Sequence, residues 1–494
     1  MTKLVQLRAP DREFLRELTE VVFDNPFSSG RMERIARLAP GWTLEELARD
    51  RQILAGIVTK RLHPYTSAGI VSCQQFAVED QRLIEPALLY EVYIRAFPQF
   101  DRLIEQQAHR GGAPARVSFA DEVLGQLAGR GFPETQATRY FAFFFQVRRA
   151  FFFLERLLVG DSSSMRRLRF ALWNNVFTHN MRNYERVLWN RMEDFSTLLL
   201  GETGTGKGSA AAAIGRSGFI PYLAEKRCFA VNFAETFIAI NLSQFPESLI
   251  ESELFGHRKG AFTGAIDHHQ GLFELCSPHG ALFLDEIGEV GVPVQIKLLQ
   301  VLQERVFTPL GSHDKRRFAG RVIAATNRSL AELRSAERFR NDFYYRLCSD
   351  VITVPTLRQR IDEWPAELEQ LVNLLVERMA GEPGPNLSEK VLETLGRNLP
   401  QGYAWPGNVR ELEQAVRRVL LTGSYEGDLR TTDHSSEDAF LESVRAGALT
   451  ADELIGRYCA MLHERHPNYS DVASRAGLDR RTVRKHVLRF GRQS

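Results

Sequence analysis

Residues 198–208 read Leu-Leu-Leu-Gly-Glu-Thr-Gly-Thr-Gly-Lys-Gly, an apolar run that breaks into a glycine-rich loop ending in lysine. Leu198–Leu200 predict the end of a buried parallel strand, and the alanine-rich stretch Ser209–Ile214 predicts a helix. Between them Gly201, Gly204 and Gly206 allow backbone N–H groups to converge on a phosphate with no Cβ in the way. Glu202, Thr203 and Thr205 complete the loop. The helix adds its positive end, and Lys207 supplies a mobile charge for the terminal phosphates. A plain strand-to-helix turn is the alternative, but strand, loop, lysine and helix fall in the order that nucleotide binding requires. Gly208 departs from the general pattern, which places a Ser or Thr hydroxyl there for magnesium.

Further along, Gly280-Ala-Leu-Phe-Leu-Asp-Glu forms a second nucleotide signature. Four apolar residues predict a buried strand that delivers Asp285 and Glu286 at its carboxyl end, where open α/β sheets bind ligands. Asp285 is the candidate Mg²⁺ ligand, and Glu286 the group that orients or deprotonates the attacking water. Alone, such a run is an ordinary strand end; after a P-loop it predicts ATP hydrolysis. A third strand, Arg321-Val-Ile-Ala-Ala-Thr-Asn, places Thr326 and Asn327 at its end, and a fourth, Val351–Val354, stops at Pro355. Alternating strands and helices predict an α/β core with a parallel sheet and right-handed crossovers.

The 494 residues suggest two to four domains on a prior of roughly 150 residues each. Hydrophobic residues at 44% and charged ones at 25% are globular values. A net charge of +2 leaves nucleic-acid contact to a local patch. Five dispersed cysteines without a CxxC pair argue against a zinc knuckle or disulfide framework and predict a reducing cytoplasm. The start, Met-Thr-Lys-Leu-Val-Gln-Leu-Arg, is too short and polar for a signal peptide. Arg148, Arg149, Glu155 and Arg156 interrupt Tyr140–Val159, the most apolar region, so no membrane span is expected.

Residues 1–165 read as a mostly α-helical regulatory unit, with helical spacing over Phe14–Phe23, Met32–Leu38 and Leu44–Leu62. Only Gly69–Phe76 hints at strand alternation. Phe141, Phe143–Phe145 and Phe151–Phe153 suit core packing better than a ligand pocket, and Asp161-Ser-Ser-Ser suits a linker or a helix cap. Nothing in this unit names a signal.

Glu251-Ser-Glu-Leu-Phe-Gly-His-Arg-Lys-Gly-Ala-Phe-Thr-Gly-Ala resembles the signature of bacterial enhancer-binding proteins, AAA+ ATPases that activate transcription by sigma-54 RNA polymerase. The resemblance covers residues 170–420. It implies that Gly260, Ala261, Phe262, Thr263, Gly264 and Ala265 tip a surface loop that touches sigma-54. Small residues and two glycines suit a mobile loop. Asn241 corresponds to the asparagine that holds the catalytic glutamate, and Arg340 and Arg346 to arginine fingers acting across a subunit interface. Trp405-Pro-Gly-Asn-Val-Arg-Glu-Leu-Glu resembles the sensor-2 motif, with Asn408 capping its helix and Arg410 facing the nucleotide from a small helical lid. Relatives usually carry glutamate at the Gly208 position, so the missing hydroxyl fits this family, and magnesium would rest mainly on Asp285. The chain is longer than the family pattern near Leu223–Glu235, an insertion that could decorate the subunit interface. The amino-terminal unit resembles no receiver domain.

The resemblance divides the chain into the ATPase α/β subdomain (166–355), the lid (356–422), a linker (423–448) rich in small and polar residues, and a terminal domain (449–494). There Tyr469–Gly477 and Leu478–Phe490 fit a helix-turn-helix similar to the Fis type. From Ala451 onward nine basic side chains face five acidic ones, and Arg480, Arg481, Thr482, Arg484 and Lys485 would lie on the recognition helix. The expected protein is a bacterial cytoplasmic activator bound to enhancer DNA. It would use ATP and Mg²⁺ in a homo-oligomeric ring, a hexamer with a dimer as its inactive form, to remodel the sigma-54 holoenzyme closed complex. The alternatives are a DNA-binding regulator with a vestigial ATPase and an AAA+ remodeller of another client.

Overall fold

The computed structural model describes residues 4–49, 52–335, 339–382, 384–427, 443–444, 447 and 449–490. Most of the linker expected at 423–448 therefore lies outside the described residues. The strands are β1 (Thr197–Leu200), β2 (Tyr222–Leu223), β3 (Cys228–Phe229), β4 (Phe237–Asn241), β5 (Ala281–Asp285), β6 (Val306–Phe307), β7 (Arg316–Arg317), β8 (Arg321–Thr326) and β9 (Asp350–Thr353). Five of them form a sheet in the order β4-β5-β8-β1-β9, parallel throughout. Helices cover both faces, so β1, β5 and β8 are apolar almost without alternation. The register matters for function. Asn241 pairs with Asp285, and Leu200 with Thr326, which aligns the polar strand ends beside the loop that follows β1.

The described residues fall into two compact units, 1–388 with 407–413, and 389–406 with 414–494. In the first, the helices from Leu89 onward share a core with one face of the sheet, while the preceding helices and the other sheet face each have their own. The centre of the shared core is the helix Glu134–Arg156, whose sequence places Phe141, Phe145 and Phe153 on one face at helical spacing. They meet the insertion after the P-loop helix, which folds into the β2–β3 hairpin and the short turn Phe233–Glu235. Phe145 stacks on Phe229 at 4.1 Å, Phe141 lies edge-on to Tyr222 at 4.9 Å, and Phe153 edge-on to Phe233 at 5.4 Å. The aromatic side chains of the insertion are thus turned inward as the docking surface of the helical unit, rather than outward as interface decoration. The alternation at Gly69–Phe76 does not make a strand. Ser72 caps a 3-10 turn over Cys73–Gln75, and Phe76 forms only an isolated bridge with Val5.

Two polar ties fasten this face. Gln146 donates to the Ser217 carbonyl at 3.0 Å, and Arg149, fully buried, donates to the carbonyls of Arg216 (2.8 Å) and Gly218 (2.6 Å). These carbonyls end the helix Lys207–Gly215, where the backbone dipole is negative. A guanidinium with no carboxylate partner among the described residues is tolerable there, although burial lowers its pKa.

A second tie joins Gly160–Ser164 to the helices Leu357–Glu363 and Ala366–Ala380. The Glu367 carboxylate, completely buried, accepts from the backbone N–H groups of Asp161 and Ser162, both at 3.0 Å, and from Arg360 Nε at 2.6 Å. Gly160, at φ +128°, passes so close that a Cβ would stand 1.9 Å from Glu367 Oε1. Ser162 caps the helix Ser163–Phe177, so Asp161-Ser-Ser-Ser serves as a cap. Desolvation raises the Glu363 pKa, but bonds from the Ser164 backbone and hydroxyl, Gln359 and Arg167 outweigh it and hold the group at about 2. Its folded pKa lies below the unfolded one, so its contribution is complete above about pH 4.5 and fades toward pH 2. Replacing Glu367 by Leu would strand the Arg360 charge and two N–H groups. We expect a loss of about 3–5 kcal/mol in urea unfolding; a change below about 1 kcal/mol would show that the tie is not structural.

In the second unit, Thr450 and Glu453 form a capping box on Ala451–Arg465, followed by Tyr469–Ala476 and Arg480–Phe490. Gly477, at φ +64°, ends the middle helix and makes the turn. Cys459, Leu462, Val472, Val483 and Val487 form the small core. No helix among the described residues is long and apolar enough to cross a membrane.

Candidate functional site

The loop after β1 closes on itself around a buried lysine. Lys207 Nζ donates to the carbonyls of Gly201 (2.7 Å) and Glu202 (3.1 Å), and burial lowers its pKa while Glu286 and Asp285 pull it back up. Gly204 (φ +82°) and Gly206 (φ +101°) take the left-handed conformations that leave successive N–H groups free to converge. A Cβ on Gly204 would stand 2.2 Å from the Gly407 carbonyl, so glycine is required there twice over. Thr205 Oγ1 donates to the Glu202 carbonyl, and Thr203 Oγ1 accepts from Asn327 Nδ2 at 3.3 Å.

Gly208 differs from its neighbours in the loop. A Cβ there would meet nothing within 4 Å, and its φ is not positive. Glycine at this helical position is tolerated rather than required. Gly208→Ala is expected to stabilise the fold by about 0.5–1 kcal/mol and to leave ATP turnover unchanged. Thermal unfolding beside an ATPase assay checks this, and collapse of turnover would mean that the backbone needs freedom here.

The strand ends supply the carboxylates. Asp285 ends β5, and its Oδ1 accepts from the N–H of Glu286 at 3.1 Å. Glu286 itself sits at φ +55°, a conformation that costs a non-glycine residue free energy and is stored where geometry matters. Asn241 lies directly across from Asp285 and uses Oδ1 to accept from Ser243 N–H and hydroxyl. Among the described residues no three carboxylate, histidine or cysteine side chains could hold a metal by themselves. A single half-buried carboxylate beside a phosphate loop does suit Mg²⁺, which keeps several waters and shares phosphate oxygens.

Sequence reading did not anticipate the role of Asn408. It does not cap its helix with its side chain. At φ +54°, Oδ1 accepts from Leu357 N–H at 2.8 Å, while Nδ2 donates to Glu202 Oε2 (3.0 Å) and to the Thr203 carbonyl (3.1 Å). The Arg410 backbone N–H approaches the Gly204 carbonyl at 3.4 Å, and its charge opposes that of Lys207. Both residues therefore lie against the loop. Arg340 and Arg346 do not join this group. Asp342 holds Arg340 at 2.8 Å, and the Leu302 carbonyl accepts from Arg346 Nε at 2.9 Å.

The segment Gly260–Ala265 forms a surface turn. Gly260 N–H donates to the Ala265 carbonyl at 2.8 Å, and Ala265 N–H to the Phe262 carbonyl at 3.0 Å. His257 and His269 bridge its base. Phe262 is 38% exposed although its ring contacts His257, and Thr263 and Gly264 are exposed. In the terminal unit Arg480, Arg481, Arg484 and Lys485 are exposed along one helix, whereas the Thr482 hydroxyl is taken by Asp479 at the helix start.

Gln146, Arg149, Glu363 and Glu367 were also missed. The signal for the first two was present: a glutamine and an arginine inside a phenylalanine-rich helical run are buried polar groups in need of partners.

Residues 174–353 match the family described as Sigma-54 interaction domain. The nitrogen fixation protein AnfA of Azotobacter vinelandii is 37% identical over 60% of this chain and 53% of its own length. The DNA-binding transcriptional regulator NtrC of Azospirillum brasilense is 36% identical over 63% and 60%. The anaerobic nitric oxide reductase transcription regulator NorR of Escherichia coli O157:H7 is 44% identical over 48% and 43%. The chain thus spans about half the length of the curated relatives it matches.

Proposed function

We propose, from the match of residues 174–353 to the family described as Sigma-54 interaction domain, that the protein is an ATP-hydrolysing activator of sigma-54-dependent transcription. The observation that carries this reading is the coexistence, in one compact unit, of an intact phosphate loop, the Asp285–Glu286 strand end and a Gly260–Ala265 turn that exposes Phe262, Thr263 and Gly264 while burying Ala265.

In this reading Gly201–Gly208 wrap the phosphates with backbone N–H groups. Lys207 moves from the Gly201 and Glu202 carbonyls to the β/γ-phosphates, and Asn327 and Arg410 border the nucleotide. Asp285 would hold Mg²⁺, which when bound would supply charge neutralisation at the phosphates. Glu286 accepts the proton of the attacking water, and Asn241 positions Glu286 from the adjacent strand end. Arg340 and Arg346, placed away from their own loop, reach the nucleotide of a neighbouring subunit, so hydrolysis requires a homo-oligomeric ring, a hexamer. The Phe262 and Thr263 turn contacts sigma-54, and Arg480, Arg481, Arg484 and Lys485 hold enhancer DNA. The helical unit 1–165 governs the ATPase in a cytoplasmic bacterial regulator.

The test separates hydrolysis from contact. Phe262→Ala is expected to keep ATP turnover within about twofold while weakening sigma-54 binding by at least tenfold, the scale of a lost aromatic anchor. Unchanged sigma-54 binding would exclude the turn as the contact and favour a different client.

A further inference from the structure

Within the helical unit lies a cavity of about 1720 Å³, bounded by the segment Val22–Leu54 and the helices Val78–Arg95, Glu134–Arg156 and Ser163–Phe177. Sites for drug-sized molecules hold roughly 300–1,000 Å³, so this is no packing defect. Its wall alternates flat rings with guanidinium groups. Phe27 stacks on Phe151 at 5.7 Å and stands edge-on to Trp173 at 6.1 Å. Arg148 lies over Phe97 and Phe151 at 4.9 and 5.5 Å, and Arg169 over Phe27 at 5.8 Å. Around the whole wall nine arginines face five carboxylates, and Asp101, Glu363 and Glu20 outside the wall pair with Arg148, Arg167 and Arg182. Asp101 holds Arg148, and the Leu158 and Gly160 carbonyls hold Arg169. At the rim, exposed Arg82 and Arg186 form no salt bridge among the described residues.

We propose that this cavity is a binding site for an anionic small molecule with a planar ring system. The rings would stack on the aromatic and guanidinium faces, and the anionic group would meet Arg82 and Arg186 at the rim. The position gives such a ligand leverage. Phe143, Phe144 and Val147 line the cavity, while Gln146 and Arg149 of the same helix grip the end of the P-loop helix. Gly160, Asp161 and Gln370 also line it, so an occupant borders the tie to Glu367 as well.

The probe is 1-anilinonaphthalene-8-sulfonate, an aryl anion, compared with N-phenyl-1-naphthylamine, which lacks the sulfonate. Fluorescence titration of the full chain is expected to show one saturable site per chain for the anion. The neutral compound should bind roughly tenfold more weakly, and Arg82→Glu/Arg186→Glu should weaken the anion roughly tenfold, the sum of two exposed charge contacts. Both arginines are exposed, and an unchanged far-UV spectrum verifies the fold of the variant. Hydrogen exchange should slow along Glu134–Arg156 and Ser163–Phe177 in the complex. Non-saturating uptake, equal affinity for the neutral compound, indifference to the double variant, or protection elsewhere would each overturn the assignment. None of these readouts depends on ATP turnover.

Discussion

Glu286→Gln is expected to bind ATP as the parent does and to lose ATP turnover by roughly 10²–10⁴-fold, the range of a removed general base. The substitution is isosteric, and the groups that fix the backbone, the Asp285 Oδ1 bond to the Glu286 N–H and the left-handed φ, do not involve the changed atom. What disappears is the ability to accept a proton. In the proposed mechanism the neighbouring Asp285 is committed to Mg²⁺, and its Oδ1 accepts from the Glu286 N–H. Steady-state hydrolysis together with a nucleotide-binding titration checks the prediction. Turnover within threefold of the parent would remove Glu286 from the mechanism, and a parent without turnover would point to a regulator acting by occupancy alone.

Phe145→Ala should cost about 3–5 kcal/mol, the range for deleting a buried aromatic ring. It should also destabilise both ends of the first unit together. Phe145 is fully buried, stacks on Phe229 of the hairpin and lies beneath the Arg149 guanidinium at 4.6 Å. The hole therefore opens between the helical unit and the β2–β3 hairpin with the turn that follows it, beneath the Arg149 that grips the end of the helix Lys207–Gly215. Urea unfolding followed by hydrogen exchange is expected to show Glu134–Arg156 and Lys207–Gly215 losing protection in one transition. Two separate transitions, with only the helical unit weakened, would show that the amino-terminal helices are a detachable module. Cutting the chain near residue 166 would expose Tyr222, Phe229 and Phe233 to water.

The sheet and its carboxyl-end residues were legible because their signals are local. An apolar run followed by Gly-Glu-Thr-Gly-Thr-Gly-Lys or by Asp-Glu carries its own geometry, and β1 and β5 lie where those runs stand. The terminal helices Tyr469–Ala476 and Arg480–Phe490 were legible for the same reason, with Gly477 at the turn between them. Long-range pairings were not. Nothing near Asn408 announces that its amide spans from Leu357 to Glu202, and nothing near Glu367 announces backbone donors at residues 161 and 162. The insertion after the P-loop helix was visible as extra length. Its destination became clear only when the three rings of Tyr222, Phe229 and Phe233 were seen against the aromatic face of Glu134–Arg156. The cavity was invisible for a related reason, since its wall is assembled from stretches of chain far apart in the sequence, from Val22 to Gln370.

Open-complex formation tests the central reading most directly. The full chain would be mixed with sigma-54 RNA polymerase on a supercoiled promoter carrying its upstream site, and strand opening read by permanganate reactivity. The prediction is opening with ATP and none with a non-hydrolysable analogue or with Glu286→Gln. Opening that needs no hydrolysis, or none under any nucleotide while ATP is being consumed, would contradict it.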